Sequence, residues 1–334
     1  MSTIKTHLFN SLTQTKKESR NKITIFGAGT VGTTTAFVIL LQEISNDVVI
    51  ISRNDDKIEG EVLDLVLTSH FVKNRPNISG GADLSLSTGS QVIIFTAGVK
   101  RIEGENHVDK IQRNVEIMKA FVPKLAQRSP NAVLIVVTDP CDVLAYVAWK
   151  LSGYPKNRII ASGTQIDSYR FRHLIAKVLD VGVESIDGWV IGEQGSECIP
   201  LLSSVSIGSF KLLDLDASFG SSESDSVKLS DIHEQTVQAS DDIIKLKNSI
   251  SWSIALTCAD LAKTIVNDTN EIRVVSTMIK GLHGITKEVF LSLPCVLNSS
   301  GVTKVVNIKL NDKELKQLHM STNFNDEIQK GISF

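Results

Sequence analysis

Three groups of residues in this 334-residue chain have types and spacings suited to chemistry. The first is Gly27-Ala-Gly29-Thr-Val-Gly32, a G-x-G-x-x-G run after the apolar stretch Lys22–Phe26 and before the helical stretch Thr33–Leu41. A strand ending in this turn needs the first glycine for the bend. The second lets backbone approach a pyrophosphate, and the third lets helix pack on strand. The helix N-terminus then offers N–H groups and a positive dipole end to phosphate. The same run also fits a glycine turn with no ligand. The second group is Ser52-Arg53, closing the next apolar run. A dinucleotide site carries an acid there for the ribose hydroxyls. An arginine in its place suits a 2′-phosphate, so NADP competes with NAD as the cofactor. Asp55 and Asp56 stand too far along to replace the acid. The third is Asp167 and Arg170, three residues apart on a helical stretch; on spacing alone they form a structural ion pair.

The elements that must hold these groups alternate. Strands are expected at Lys22–Phe26, Val48–Ile51, Gln91–Thr96, Ala132–Val137 and Arg158–Ala161. Helices are expected at Val31–Gln42, Asp55–Thr68, Val108–Gln127, Val143–Leu151 and Ile166–Leu179. The strands are nearly continuous Val, Ile and Leu, as in a sheet covered on both faces, so this half reads as an α/β, doubly wound parallel sheet. Lys73–Gly81 and Arg128–Asn131 read as polar breaks. After Gly182 the pattern becomes mixed α+β. Strands are expected at Ile186–Ile191, Cys198–Ser206, Ile272–Lys280, Val289–Val296 and Val305–Leu310, and helices at Ser230–Lys247, Ser251–Asn267 and Lys313–Lys330. Ser209–Asp231, rich in Ser, Asp and Gly, reads as a surface excursion.

Composition removes whole classes of function. A formal charge of −2 and 5% aromatic residues give no footprint for nucleic acid. No apolar run approaches the length of a membrane span. Four scattered cysteines without C-x-x-C fit a reducing compartment, with neither a disulfide frame nor a zinc site. The seven histidines show no ligand spacing, so no metal is expected. The first twenty residues are polar and lysine-bearing, without a signal-peptide core, so a cytoplasmic location is expected.

Taken together the segments resemble the L-lactate/malate dehydrogenase family, most closely its animal lactate type. The likeness runs nearly the whole length, through Gly27–Gly32, Thr96-Ala-Gly98, Gln112-Arg-Asn114, Tyr146-Val-Ala-Trp-Lys150, Asp167-Ser-Tyr-Arg-Phe-Arg172, Gly188-Trp-Val-Ile-Gly-Glu193 and Ala259-Asp-Leu-Ala262 to Val289-Phe-Leu-Ser-Leu-Pro-Cys295. The resemblance implies an N-terminal arm over residues 1–20, a Rossmann dinucleotide-binding domain over 21–162 and a substrate domain over 163–334. It implies a cytosolic homotetramer with the arm lying on a neighbour. It also implies a nicotinamide cofactor held around Gly27, Gly29, Gly32, Ser52, Arg53, Thr96, Ala97, Gly98, Asn114 and Val137. The substrate would be a small 2-oxo or 2-hydroxy acid, its carboxylate clamped by Arg170. Asp167 would orient the acid/base group.

At that group the chain departs from the family. The family's Gly-Glu-His-Gly reads Gly192-Glu193-Gln194-Gly195 here. A glutamine amide can hydrogen-bond Asp167 and a substrate oxygen, yet it has no usable pKa. The mobile-loop arginine aligns with His107, while Arg101 falls where malate-type members carry arginine. Asp139 replaces an asparagine and puts a negative charge beside an anion site, where a buried carboxylate is costly unless protonated or paired. Ile250 replaces a threonine and removes a hydroxyl. These changes point to a pseudoenzyme that keeps its fold and dinucleotide site, as a homotetramer or in mixed tetramers with an active paralogue. The alternative is a working NAD(P)-dependent lactate or malate dehydrogenase in which His107, paired with Asp139, supplies the proton and Arg101 and Arg170 hold a dicarboxylate.

Overall fold

The computed structural model describes residues 21–53, 55–73, 75–99, 104–219 and 228–334. The arm expected over 1–20 and Arg101 lie outside them, and so does the side chain of His107. The first half alternates as its apolar runs dictate. It comprises β1 (Ile23–Phe26), α1 (Thr30–Leu41), β2 (Asp47–Ile51), α2 (Asp55–Thr68), β3 (Asn77–Gly81), β4 (Val92–Phe95), α3 (His107–Arg128), β5 (Val133–Val136), α4 (Cys141–Ser152) and β6 (Ile159–Ala161). The strands pair in parallel in the order β3-β2-β1-β4-β5-β6. This is the doubly wound order, whose reversal between β1 and β4 opens a crevice at the carboxyl ends of the strands. Every residue of β1, β2, β4, β5 and β6 is buried, which is why those runs lack polar alternation.

The second half extends the same sheet with antiparallel strands. α5 (Gln165–Leu179) leads to β7 (Ile186–Asp187), β8 (Val190–Gly192), β9 (Cys198–Pro200), β10 (Ser206–Ile207), β11 (Phe210–Lys211) and the single turn α6 (Leu212–Leu215). Then come α7 (Leu229–Lys247), α8 (Trp252–Val266), β12 (Glu271–Met278), β13 (Phe290–Asn298), β14 (Gly301–Val305) and α9 (Asp312–Lys330). β12 joins β6 through Ser276 and Ala161, and β13, β8 and β9 follow outward, giving eleven strands among the described residues with β14 on β13. Helix α8 buries Ala255, Cys258, Leu261, Ala262 and Ile265 at helical spacing and packs on α1. The main core thus runs continuously from Ile23 and Ile25 to Leu293 and Leu318.

Five segments depart from expectation. Part of the polar break at Lys73–Gly81 is β3, paired with β2 from Asp47↔Asn77 to Ile51↔Gly81. As an edge strand it needs no apolar run. At Gly80 a Cβ would lie 2.6 Å from Ile58 and 2.8 Å from the Ile50 carbonyl, so the close packing of α2 requires glycine. The last strand is Gly301–Val305 and not Val305–Leu310. The two early strands of the second half break into β7 with β8, and β9 with β10. The surface excursion contains β11 and α6, and residues 220–227 within it are outside the described set.

Candidate functional site

The glycine turn forms one wall of a cleft of about 240 Å³. Gly27, Gly29, Ser52, Arg53, Thr96, Ala97 and Gly98 all line it, together with Lys57, which the sequence reading missed. Gly27 has φ 123°, and a Cβ there would lie 2.7 Å from both Ala97 N and Thr96 Oγ1. Thr96 Oγ1 donates to the Gly27 carbonyl at 3.1 Å and fixes the bend. Gly32 does not line the cleft. A Cβ there would sit 1.9 Å from the Gly27 carbonyl, so its role is to bring α1 onto the turn. Gly29, by contrast, faces open space. It is the N-cap of α1, and no side chain caps that helix. An open backbone and an uncapped helix start fit a bound pyrophosphate.

Asn114 and Val137 do not line the cleft. Buried Asn114 accepts from Val99 N at 2.9 Å and donates to the Asp139 carbonyl at 3.1 Å, so its amide ties the two loops together. Val137 is half-buried against the core. Thr138 adds a third tie, donating to the Ala97 carbonyl at 2.8 Å.

Asp167 and Arg170 lie one turn apart on α5, and the guanidinium Nη1 donates to Asp167 Oδ1 at 2.9 Å. Their side chains are 8% and 15% exposed. Burial pushes Asp167 up to about 6 even though Arg170 pulls the other way. Asp167 Oδ2 and Arg170 Nη2 are buried and have no hydrogen-bond partner among the described residues. The Gln194 amide, which could reach Asp167, is engaged elsewhere. Its Oε1 accepts from the Cys141 thiol at 2.8 Å, and its backbone N–H donates to Asp142 Oδ2 at 2.7 Å. The reason is local: Cys141 and Asp142 open α4 directly against the turn that carries residue 194. Asp142 is fully buried and burial lifts it to about 6, while burial, with Asp142 next, lifts Glu193 to about 8.

Asp139 is not the buried carboxylate the sequence suggested. Its side chain is 67% exposed, and Oδ2 accepts from Lys110 Nζ at 2.7 Å. Lys110 lies on the first turns of α3, which Asn106 caps by accepting from Asp109 N at 2.8 Å. The segment before that cap is anchored by Arg113, whose Nε and Nη2 each donate to Glu105 at 2.7 Å. His107 is the first residue of α3. Ile250 is half-buried in the turn between α7 and α8.

Cys141, Asp142, Glu193 and Lys110 escaped the sequence reading. Each acts through a partner distant in sequence, or through burial that no spacing reveals. Only the adjacency of Glu193 to Gln194, and of Cys141 and Asp142 to the Asp139-Pro140 step, could have drawn attention to them. Among the described residues no group of His, Cys, Asp or Glu is arranged to hold a metal ion, and no helix is long and apolar enough to cross a membrane.

Comparison with known proteins adds a separate line of support. The model for the lactate/malate dehydrogenase NAD binding domain matches residues 21–161. That for the lactate/malate dehydrogenase alpha/beta C-terminal domain matches residues 164–334. The L-lactate dehydrogenase C chain of Sus scrofa is 42% identical over 334 residues, all of both chains. The L-lactate dehydrogenase B chain of Anguilla rostrata is 40% identical over 332 residues, 99% of each.

Proposed function

The chain belongs to the lactate/malate dehydrogenase family, and from that premise we propose an NAD(H)-binding member that has given up efficient hydride chemistry. The observation that carries this reading is the placement of residue 194. Gln194 has no titrating group, and its side chain is engaged by Cys141 while Asp167 pairs with Arg170. A bound nicotinamide would supply the hydride. A coupled proton must also move to or from the substrate oxygen, and no group at position 194 exchanges one. General acid–base catalysis is worth roughly 10²–10⁴ in rate, and losing a polarising donor costs on the order of 10²–10³. The two act as a unit and do not simply multiply.

The rest of the reading assigns roles to residues. Gly27, Gly29, Thr96, Ala97 and Gly98 cradle the cofactor, with Gly32, Asn114 and Val137 as backing. Ser52, Arg53 and Lys57 line the same cleft, and an arginine in place of the ribose-binding acid supports NADP alongside NAD. Arg170 clamps a carboxylate in the second domain, which begins near residue 163, with Ile250 and Asp139 at the pocket rim. The protein would act in the cytoplasm as a homotetramer or in mixed tetramers with an active paralogue.

A second reading, a working L-2-hydroxyacid dehydrogenase, draws support from Lys110. By pairing with Asp139 it neutralises the charge that would repel an anionic substrate. In that reading His107 supplies the proton, and Arg101 and Arg170 grip the substrate. One assay separates the two: turnover of pyruvate and oxaloacetate with NADH and NADPH. We expect rates far below those of ordinary dehydrogenases. Ordinary rates, abolished by His107→Ala, would establish the second reading.

A further inference from the structure

The Asp167–Arg170 pair satisfies only half of its own hydrogen-bonding capacity. One carboxylate oxygen meets one guanidinium nitrogen at 2.9 Å, and a second oxygen and a second nitrogen are left over, both buried. The two charges meet each other, but a buried polar atom left without a hydrogen bond costs stability, so this acceptor and this donor are open to something that supplies the converse pair. Residue 194 does not supply it. The Gln194 carbonyl is engaged by Cys141, and its backbone N–H by Asp142.

We propose that the Asp167–Arg170 pair receives the zwitterion of a 2-amino acid, the carboxylate on Arg170 and the ammonium on the free oxygen of Asp167. This deepens the function proposed above and rests on its claim that residue 194 no longer serves the substrate oxygen. The chemistry of the three possible ligands orders them. A 2-oxo acid brings only lone pairs toward Asp167, and a keto oxygen facing a carboxylate is repelled. A 2-hydroxy acid brings one donor. A 2-amino acid brings three donors and a positive charge, which makes the contact charge-assisted on both sides. The surroundings favour the same ligand. The cavity of about 500 Å³ that Arg170 borders, between α5 and α7, is lined by Asp231, Glu234 and Asp242 against a single histidine, His173. Asp142 is a further buried carboxylate, near enough to Asp167 for the two charges to act on each other. A cation among these acids relieves their mutual repulsion, whereas a second anion adds to it.

The test is calorimetric titration of the NADH-saturated protein with L-alanine, L-lactate and pyruvate, three acids with the same carbon skeleton. L-Alanine should bind at least about tenfold more tightly than pyruvate, the scale of one charge-assisted hydrogen bond, with L-lactate between them. L-Alanine methyl ester, which keeps the ammonium and loses the carboxylate, should bind far more weakly than L-alanine. Asp167→Asn should erase the preference for L-alanine while pyruvate binding holds or improves. The wild-type ranking requires no variant, so a misfolded Asp167→Asn protein does not rescue the idea. Pyruvate binding as tightly as L-alanine would overturn it. So would undiminished binding of the ester, or no binding of any of the three at millimolar concentrations. Turnover is measured on the same samples. Tight pyruvate binding without turnover sinks the zwitterion site and leaves the proposed loss of chemistry standing. Rapid turnover sinks that reading by itself.

Discussion

Cys141 donates its thiol hydrogen to the side-chain carbonyl of Gln194 across 2.8 Å, and this contact holds the side chain of residue 194 against the start of α4. Cys141 is 1% exposed, and burial raises its thiol well above the ordinary range, so it stays protonated and remains a donor. Restoring Gln194→His alone therefore puts an imidazole beside the same thiol. We expect Gln194→His to recover little pyruvate reduction. Adding Cys141→Val, an apolar side chain of similar volume, should raise the rate at least about tenfold over the single variant, the lower range of an acid/base contribution. Cys141→Val alone should cost less than about 1.5 kcal/mol in urea unfolding. Equal rates for the single and double variants would show that the thiol does not direct residue 194.

The Lys110–Asp139 pair joins the first turns of α3 to the loop between β5 and α4 at 2.7 Å. Asp139 is largely exposed, so the pair contributes at most about 1 kcal/mol to stability. Its larger effect should be on anions. Lys110→Leu leaves the Asp139 charge uncompensated and should weaken oxalate binding to the NADH complex several-fold. Lys110→Leu with Asp139→Asn should restore it. A double-mutant cycle with no coupling in oxalate affinity would place the pair outside the pocket's electrostatics.

How far the chain could be read without coordinates depended on where the information lay. β1, β2, β4 and β5 were legible because burial on both faces writes itself as runs dominated by Val, Ile and Leu, and Gly27–Gly32 was legible because its steric demands at Gly27 and Gly32 exclude side chains. β3 was invisible because its Asn-Ile-Ser-Gly-Gly is specified by backbone pairing with β2 and by contact with Ile58. β14 was misplaced by four residues. Gly301, with φ 89° and its Cα against the Asn157 carbonyl, starts the strand earlier than the apolar pattern suggests. In the site the altered positions Gln194 and Asp139 were plain, whereas their partners Cys141 and Lys110 lie 53 and 29 residues away. Pairing across such separations is a property of the fold, and so neither the engagement of Gln194 by Cys141 nor the exposure of Asp139 could be read from the sequence.

Arg53 and Lys57 flank the cleft beside Ser52 where an acid would accept from ribose hydroxyls. Arg53→Asp should lower NADPH affinity at least about tenfold, since a 2′-phosphate loses a charge-assisted donor and meets a new anion. NADH affinity should hold or improve. Fluorescence titration of both cofactors into wild type and variant measures this, and an unchanged NADPH affinity would leave Arg53 without a part in cofactor choice.

Glu193 is 7% exposed, and its carboxyl is pushed up to about 8, chiefly by burial and then by Asp142. A carboxyl whose folded pKa exceeds its unfolded value, near 4.3, takes up its proton more readily in the native state. The stability this contributes is fully present below about pH 4.3 and is lost as pH climbs through about 8. Asp142 and Asp167, each near 6, act with the same sign at the lower end of that window. His233 and His283 are held below the ordinary imidazole range, first by burial, so they remove stability as pH falls below about 6.5 and do not confuse the upper window. Between pH 6.5 and 8.5 the unfolding free energy should therefore fall, by about 2 kcal/mol at the ordinary rate of about 1.4 kcal/mol per proton and pH unit. Glu193→Gln keeps an oxygen for the Glu197 N–H that now donates to Glu193 at 3.0 Å, and removes the titration. Urea unfolding at intervals across this range should show a clearly steeper fall in wild type than in Glu193→Gln, whose remaining fall above about pH 8 comes from the buried thiols that burial holds protonated. A wild-type stability that rises with pH there would mean that Glu193 is ionised in the folded protein.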